Sequence, residues 1–400
     1  MPRYALDGDI WQIVQTATQL DITTGGKTTV RKFQTPEQAS AQLDKLVGER
    51  VAAGYELVTA NPRHPQLEAV IASEPESGTH YAVYGDWLES HGDPRGRLIA
   101  LQLAADLPGA PAKLATAFAK HLREHAEDLL GALAAHAGPD RAEDPVFGWR
   151  FGFIHQAYLH AERQAPLDRV LELLLEHASG RFLVDLAMVR NERMQAAVDV
   201  LGRLAPPSLR ALRLWGVEQL DLGAVWPRMP ELRRLSLTGS KLALGDLAVP
   251  RLERLELVDA EMPNASTRTL ARMPWPVLQQ LKLDFGHGYV TGDASIDDVF
   301  ALLARRDLPA LSQVALLHTR YIPEVVRELA ASPIAGQLKI LDLSNNQMED
   351  AHARELAKRR AQFPQLTHLD VSFNRLTSLG LDALRDVAAN VRGVNQLADA

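Results

Sequence analysis

An α/β architecture dominated by a repeat array is expected from this chain of 400 residues, on three grounds. A unit of the form L-x-x-L-x-L recurs at Leu209-Leu212-Leu214, Leu232-Leu235-Leu237, Leu252-Leu255-Leu257, Leu278-Leu281-Leu283, Leu311-Val314-Leu316, Leu338-Leu341-Leu343 and Leu366-Leu369-Val371. Ahead of it, residues 66–136 read as helices punctuated by glycine and proline, and residues 4–57 read as alternating strands followed by one helix. The composition fits: 46% hydrophobic and 23% charged residues exclude a wholly disordered chain, while 6% aromatics point to an aliphatic core.

Residues 1–60 are expected to form a small α+β domain. Apolar alternation at 10–15 and 19–22, a Gly25-Gly26 turn and a strand-like Thr28–Phe33 lead to a helix from about Pro36 to Ala53. Thr35 suits its N-cap, Pro36 its first turn and Gly54 its end. With Trp11, Phe33 and Gly54-Tyr55, the segment resembles a WGR-type domain, although the W-G-R tripeptide is missing: Leu20-Asp21-Ile22 runs straight into Thr23-Thr24-Gly25-Gly26. In some poly(ADP-ribose) polymerases such a domain helps to bind DNA, so the resemblance implies a nucleic-acid role as the alternative function, with Lys27, Arg31 and Lys32 as its phosphate contacts. Three contacts give only a salt-sensitive affinity, and the 7 acidic residues of 1–60 outnumber its 6 basic ones.

Residues 61–150 are expected to be a helical capping domain, broken at Glu74-Pro75, Gly92-Asp93-Pro94 and Pro108-Gly109-Ala110-Pro111. The run Leu67–Ile71, then Tyr84-Gly85-Asp86-Trp87-Leu88-Glu89-Ser90-His91-Gly92-Asp93-Pro94-Arg95, then Leu98–Gln102 resembles a small bacterial repeat-companion domain found ahead of leucine-rich repeats. Asp86 and Glu89 could form a carboxylate pair on one helix face, with His91 and Asp93 beside them. The structural reading is preferred: Trp87 and Leu88 in the core, Asp86 bonded to an arginine or a turn amide, and Gly92-Asp93-Pro94 ending one helix and capping the next.

Residues 151–400 hold the array. The seven starts lie 23, 20, 26, 33, 27 and 28 residues apart, and two degenerate units, Ile154-Ala157-Leu159 and Leu183-Leu186-Met188, bring the count to nine. The fourth and sixth residues of a unit share one side of a short strand and are buried; those between face the other way. Asn346 and Asn374, eight residues after the leading leucine, can satisfy backbone groups in the turn that leaves the strand, and Val217, Ser240, Ala260, Gly286 and Thr319 interrupt that pattern earlier. LKILDLSNNQM and LTHLDVSFNRL closely resemble leucine-rich repeats. That resemblance implies a solenoid with a parallel sheet on its concave face and helices or turns on its convex face, with helices near 350–361 and 378–389.

The expected function is non-enzymatic: an interaction module that holds a macromolecular partner, an acidic protein surface, on the concave face. Its candidate residues are Tyr158, Arg213, Trp215, Arg234, Ser236, Arg254, Glu256 and Lys282, a basic track flanked by exposed aromatics that gives way to Asp342, His368 and Asp370. His287 with Asp284 and Asp293 is read as a polar glycine-rich loop rather than a metal site. No H-E-x-x-H, G-x-x-x-x-G-K-[ST] or G-x-S-x-G occurs, so no cofactor, metal or small-molecule substrate is expected. The chain has no cysteine, no apolar leader and no run of ~18 apolar residues, so a soluble cytoplasmic protein without a membrane partner is expected.

Overall fold

The computed structural model describes residues 3–6, 9–25, 27–58, 61–136, 146–160, 166–189, 192–259, 261–286, 296–319 and 321–397. They divide into two compact units: Met1–Gly138 with Phe147–Gln156 and Leu173–Leu183, and Pro139–Val146 with Ala157–Glu172 and Val184–Ala400.

The first unit begins with β1 (Arg3–Leu6), β2 (Asp9–Thr16), β3 (Gln19–Thr24), β4 (Lys27–Lys32), α1 (Pro36–Ala52) and β5 (Glu56–Val58). The strands form an antiparallel sheet in the order β4-β3-β2-β1-β5. Alternation places Trp11, Ile13 and Leu20 on one face, where Leu43, Leu46 and Val47 of α1 pack. Thr35 caps α1 by accepting from the Gln38 amide (3.3 Å), and Gly54 closes it at φ +93°.

Helices α2 (Pro65–Ser73), α3 (Gly78–Ser90), α4 (Pro94–Ala105), α5 (Lys113–Glu124) and α6 (Ala126–Leu130) follow, separated at the expected breaks. Their core departs from the aliphatic expectation. Tyr81, Tyr84, Phe151, Phe153 and Phe182 pack with Ile71, Leu88 and Ile99, and Phe153 and Phe182 meet nearly edge-on at 4.7 Å.

Next come β6 (Val146–Arg150) and β7 (Phe153–Leu159), joined by Phe151 at φ 47° and Gly152 at φ 75°, the left-handed pair of a type I′ hairpin turn. Then follow α7 (Leu167–Glu176), β8 (Asp185–Val189), α8 (Met194–Leu204), β9 (Ala211–Glu218), β10 (Arg234–Ser240), β11 (Arg254–Asp259), α9 (Asn264–Arg272), β12 (Gln280–Asp284), α10 (Ile296–Leu303), β13 (Gln313–Leu317), α11 (Ile322–Ala331), β14 (Ile340–Asp342), α12 (Asp350–Lys358), β15 (His368–Asp370), α13 (Ser378–Leu384) and β16 (Asn390–Arg392). The large sheet has eleven strands in sequence order from β6 to β16. From β8 onward every pairing is parallel.

In the second unit the repeat register is in phase: Leu212, Leu235, Leu255, Leu281, Val314, Leu341 and Leu369 stand opposite one another, strand to strand. All are at most 2% exposed. Each such side chain contributes roughly 1.5–3 kcal/mol of burial. Where the repeat is 20 residues long, between β10 and β11, no helix forms. Helices α12 and α13 are shorter than expected, because Arg360–Gln362 tightens into a 3₁₀ turn and α13 ends at Leu384.

The turns leaving the strands carry a ladder of buried amides. Asn374 accepts from the Asn346 and Met348 amides (2.9 and 2.8 Å) and donates to Leu343 O and Val371 O, both at 2.9 Å. Asn346 accepts from the Thr319 amide (2.7 Å) and donates to Leu316 O (2.6 Å). Earlier, where no asparagine is present, Asp259 takes the equivalent role one position sooner. Its carboxylate accepts from the Lys241, Leu242 and Glu261 amides, each at 2.9 Å.

Candidate functional site

Because strand side chains alternate, the polar residues of β8–β15 fall into rows across the sheet. One row runs Asp185, Ala211, Arg234, Arg254, Gln280, Gln313, Ile340, His368. The next runs Ala187, Arg213, Ser236, Glu256, Lys282, Ala315, Asp342, Asp370. The four cations expected as one track therefore lie two to a row. Arg234 and Arg254 are direct neighbours on β10 and β11, while Arg213 on β9 and Lys282 on β12 flank Ser236 and Glu256, one strand out on either side.

These rows enclose a hollow of about 400 Å³, lined by Arg213, Arg234, Ser236, Arg254, Glu256 and Lys282 together with Asp185, Gln280, Gln313 and Asp342. Two of the cations are neutralised within it. Arg213 Nη2 meets Asp185 Oδ1 at 2.7 Å, and Lys282 Nζ meets Glu256 Oε1 at 2.6 Å, while Ser236 donates to the same carboxylate at 3.1 Å. Arg234 reaches Asp185 only at 4.0 Å. The Arg254 guanidinium has no hydrogen-bond or ion-pair partner among the described residues, and the residue is exposed. Two guanidinium groups on adjacent strands, ~4.8 Å apart at the backbone, repel unless an anion lies between them.

Tyr158 and Trp215 lie outside the lining. They are half-buried rather than exposed, with ring centroids 5.9 Å apart; Tyr158 meets His160 edge-on at 4.2 Å and the Arg213 guanidinium lies 5.8 Å from the Trp215 ring. They brace Arg213 more than they offer an open anchor. Asp185, which meets both Arg213 and Arg234, was not among the expected residues. It sits at the third position of the degenerate Leu183 unit, and that position was the signal that could have found it.

The other candidates separate. Lys27, Arg31 and Lys32 are all exposed on the edge strand β4, but Arg31 pairs with Leu20 on the side that α1 covers and Lys32 pairs with Gln19 on the other. No single surface presents all three. In the helical block Asp93 caps α4, accepting from the Arg95 amide (2.9 Å) and Nε (2.8 Å), with both side chains buried. Asp86 and Glu89 are exposed, and the arginine or turn-amide bond expected of Asp86 is not formed among the described residues. Asp284 accepts from the Gly286 amide (2.9 Å) and pairs with His318 Nδ1 (2.7 Å); His287 and Asp293 lie outside the described residues. Among the described residues no group of three or more His, Asp or Glu could hold a metal, and no helix is long and apolar enough to cross a membrane.

Comparison with known proteins adds the following. The family model described as Leucine Rich repeat matches residues 364–384, which hold the Leu366 unit and all of α13. No curated protein matches the chain. Among solved structures, the chain is similar to a protein from Bacteroides fragilis, with 14% identity over 100% of this chain and 98% of that one and a TM-score of 0.47. Repeats of this family serve protein interaction in general.

Proposed function

We propose that residues 151–400 form a leucine-rich-repeat solenoid whose strand face holds a protein partner, and that the chain binds rather than catalyses. In this reading residues 61–150 are a repeat-companion domain and residues 1–60 a WGR-like domain. The single observation that carries it is Arg254, an exposed and unpartnered cation beside Arg234 in a hollow of about 400 Å³. Within the hollow the pair is offset only by the 4.0 Å approach of Arg234 to Asp185, since Asp185 and Glu256 bond closely to Arg213 and Lys282. Carboxylates of a partner would complete the offset. The nucleic-acid alternative has less support, because the cations of β4 are divided between two faces.

The test is capture by the immobilised full-length chain from an extract of its host. R213E/R234E/R254E should lose the proteins that the unaltered chain retains, with an unchanged circular dichroism spectrum. Equal capture by both would remove the proposal.

A further inference from the structure

Resting on the reading of this face as an interaction surface, we infer that the hollow takes an extended peptide segment bearing one acidic and one basic side chain about four residues apart. The observation is a pair of unpartnered opposite charges three strands apart in one cavity, one on its middle strand and one at its β14 end. On the middle strand, β11, stands Arg254, beside Arg234. At the β14 end, Asp342 accepts only from the Ser344 amide (2.9 Å) among the described residues and stands directly opposite Asp370 on β15. The cation nearest Asp370 is Arg392, 3.6 Å away and largely exposed.

Like charges facing one another on adjacent strands destabilise a sheet, so each pair is relieved by a bound counter-charge. An evenly acidic partner would relieve the arginines and be repelled by Asp342 and Asp370. A nucleic-acid strand meets the same objection. Only a ligand carrying both signs satisfies both places.

Geometry sets the spacing. Arg254 and Asp342 both line the hollow and are three strands apart in the sheet order. Three strand spacings amount to ~14 Å, and an extended chain advances ~3.4 Å per residue, so four residues span the gap. Between the two charges lie Gln280 and Gln313, bonded to each other side chain to side chain, and Ala315, which leave the middle of the path uncharged apart from the neutralised Lys282.

The test is fluorescence anisotropy at low ionic strength with the full chain and labelled, end-blocked peptides in which three alanine or serine residues separate two charged ones. The Glu/Arg peptide is expected to bind roughly tenfold more tightly than the Glu/Glu or Arg/Arg peptide. R254E and D342R should each remove that advantage. The double variant R254E/D342R should restore it, because the peptide can then lie the other way round. D342N, which keeps an acceptor for the Ser344 amide, should weaken binding without affecting the circular dichroism spectrum. Equal binding of all three peptides, or a double variant no better than either single one, would overturn the inference. If capture from extract still depends on the arginines while the peptides show no preference, the interaction surface stands and only the two-signed segment fails. If capture is also unaffected, the face itself has been misread.

Discussion

Two buried titratable groups show how single residues tune this fold. Burial, with the Arg95 guanidinium nearby, pushes the His177 imidazole from 6.5 down to about 4. The neutral ring is the one the fold uses, since Nδ1 accepts from the Ser179 amide at 3.1 Å. An unfolded chain binds a proton at this histidine below about pH 6.5 and the folded chain does so only near 4. Its contribution is therefore complete above pH 6.5 and is lost as the pH falls toward 4, a change of about 2–3 kcal/mol. Urea unfolding at pH 7 and pH 4.5 should show this loss for the unaltered chain and a flatter response for H177N; equal slopes would contradict it. The second group is Asp259, whose carboxyl burial pushes up although three backbone amides hold it. Asp259→Ala leaves those donors buried and unpaired, so a loss of about 3 kcal/mol is expected in denaturant unfolding.

At the scale of elements, the β6–β7 hairpin is a tightly constrained connection. A Cβ on Gly152 would come within 2.7 Å of Ile99 Cγ1 and 2.8 Å of Arg95 O, and φ is positive there as well. Gly152→Ala should cost about 2 kcal/mol or more in thermal unfolding, whereas an exposed glycine with free space, such as Gly336, should tolerate alanine with a change of about 0.5 kcal/mol or less. In the array, Leu283→Ala removes a fully buried side chain and should cost about 3 kcal/mol. Elements that repeat or alternate could be read from the residues alone: the leucine positions predict β9 to β15, and Thr35-Pro36 with Gly54 predict α1. Others carried no such signal. β16 holds a single valine between Asn390 and Arg392 and owes its strand to pairing with β15. The division of the cations between two rows depends on whether a residue is third or fifth in its unit, and Asp185 belongs to a unit whose leucine pattern has decayed. Which carboxylate neutralises which arginine is a matter of cross-strand neighbours, which no local spacing records.

At the scale of the whole molecule, charge is distributed against the overall balance. The chain carries a net charge of −7, yet four of its cations line one hollow with three carboxylates. Screening over ~8 Å at physiological ionic strength confines the general negative field, so a partner's acidic group is governed by the arginines it meets at short range. Capture by the strand face should therefore weaken steeply as salt is raised; capture indifferent to salt would mean that apolar contact, not Arg234 and Arg254, holds the partner. The most direct measurement of the central claim is arginine footprinting with phenylglyoxal, read by mass spectrometry on the free chain and on the complex recovered from extract. Arg254 should react readily in the free chain and be protected in the complex, while Arg385, exposed beside α13, keeps its reactivity. Undiminished modification of Arg254 in the complex would show that the partner sits elsewhere.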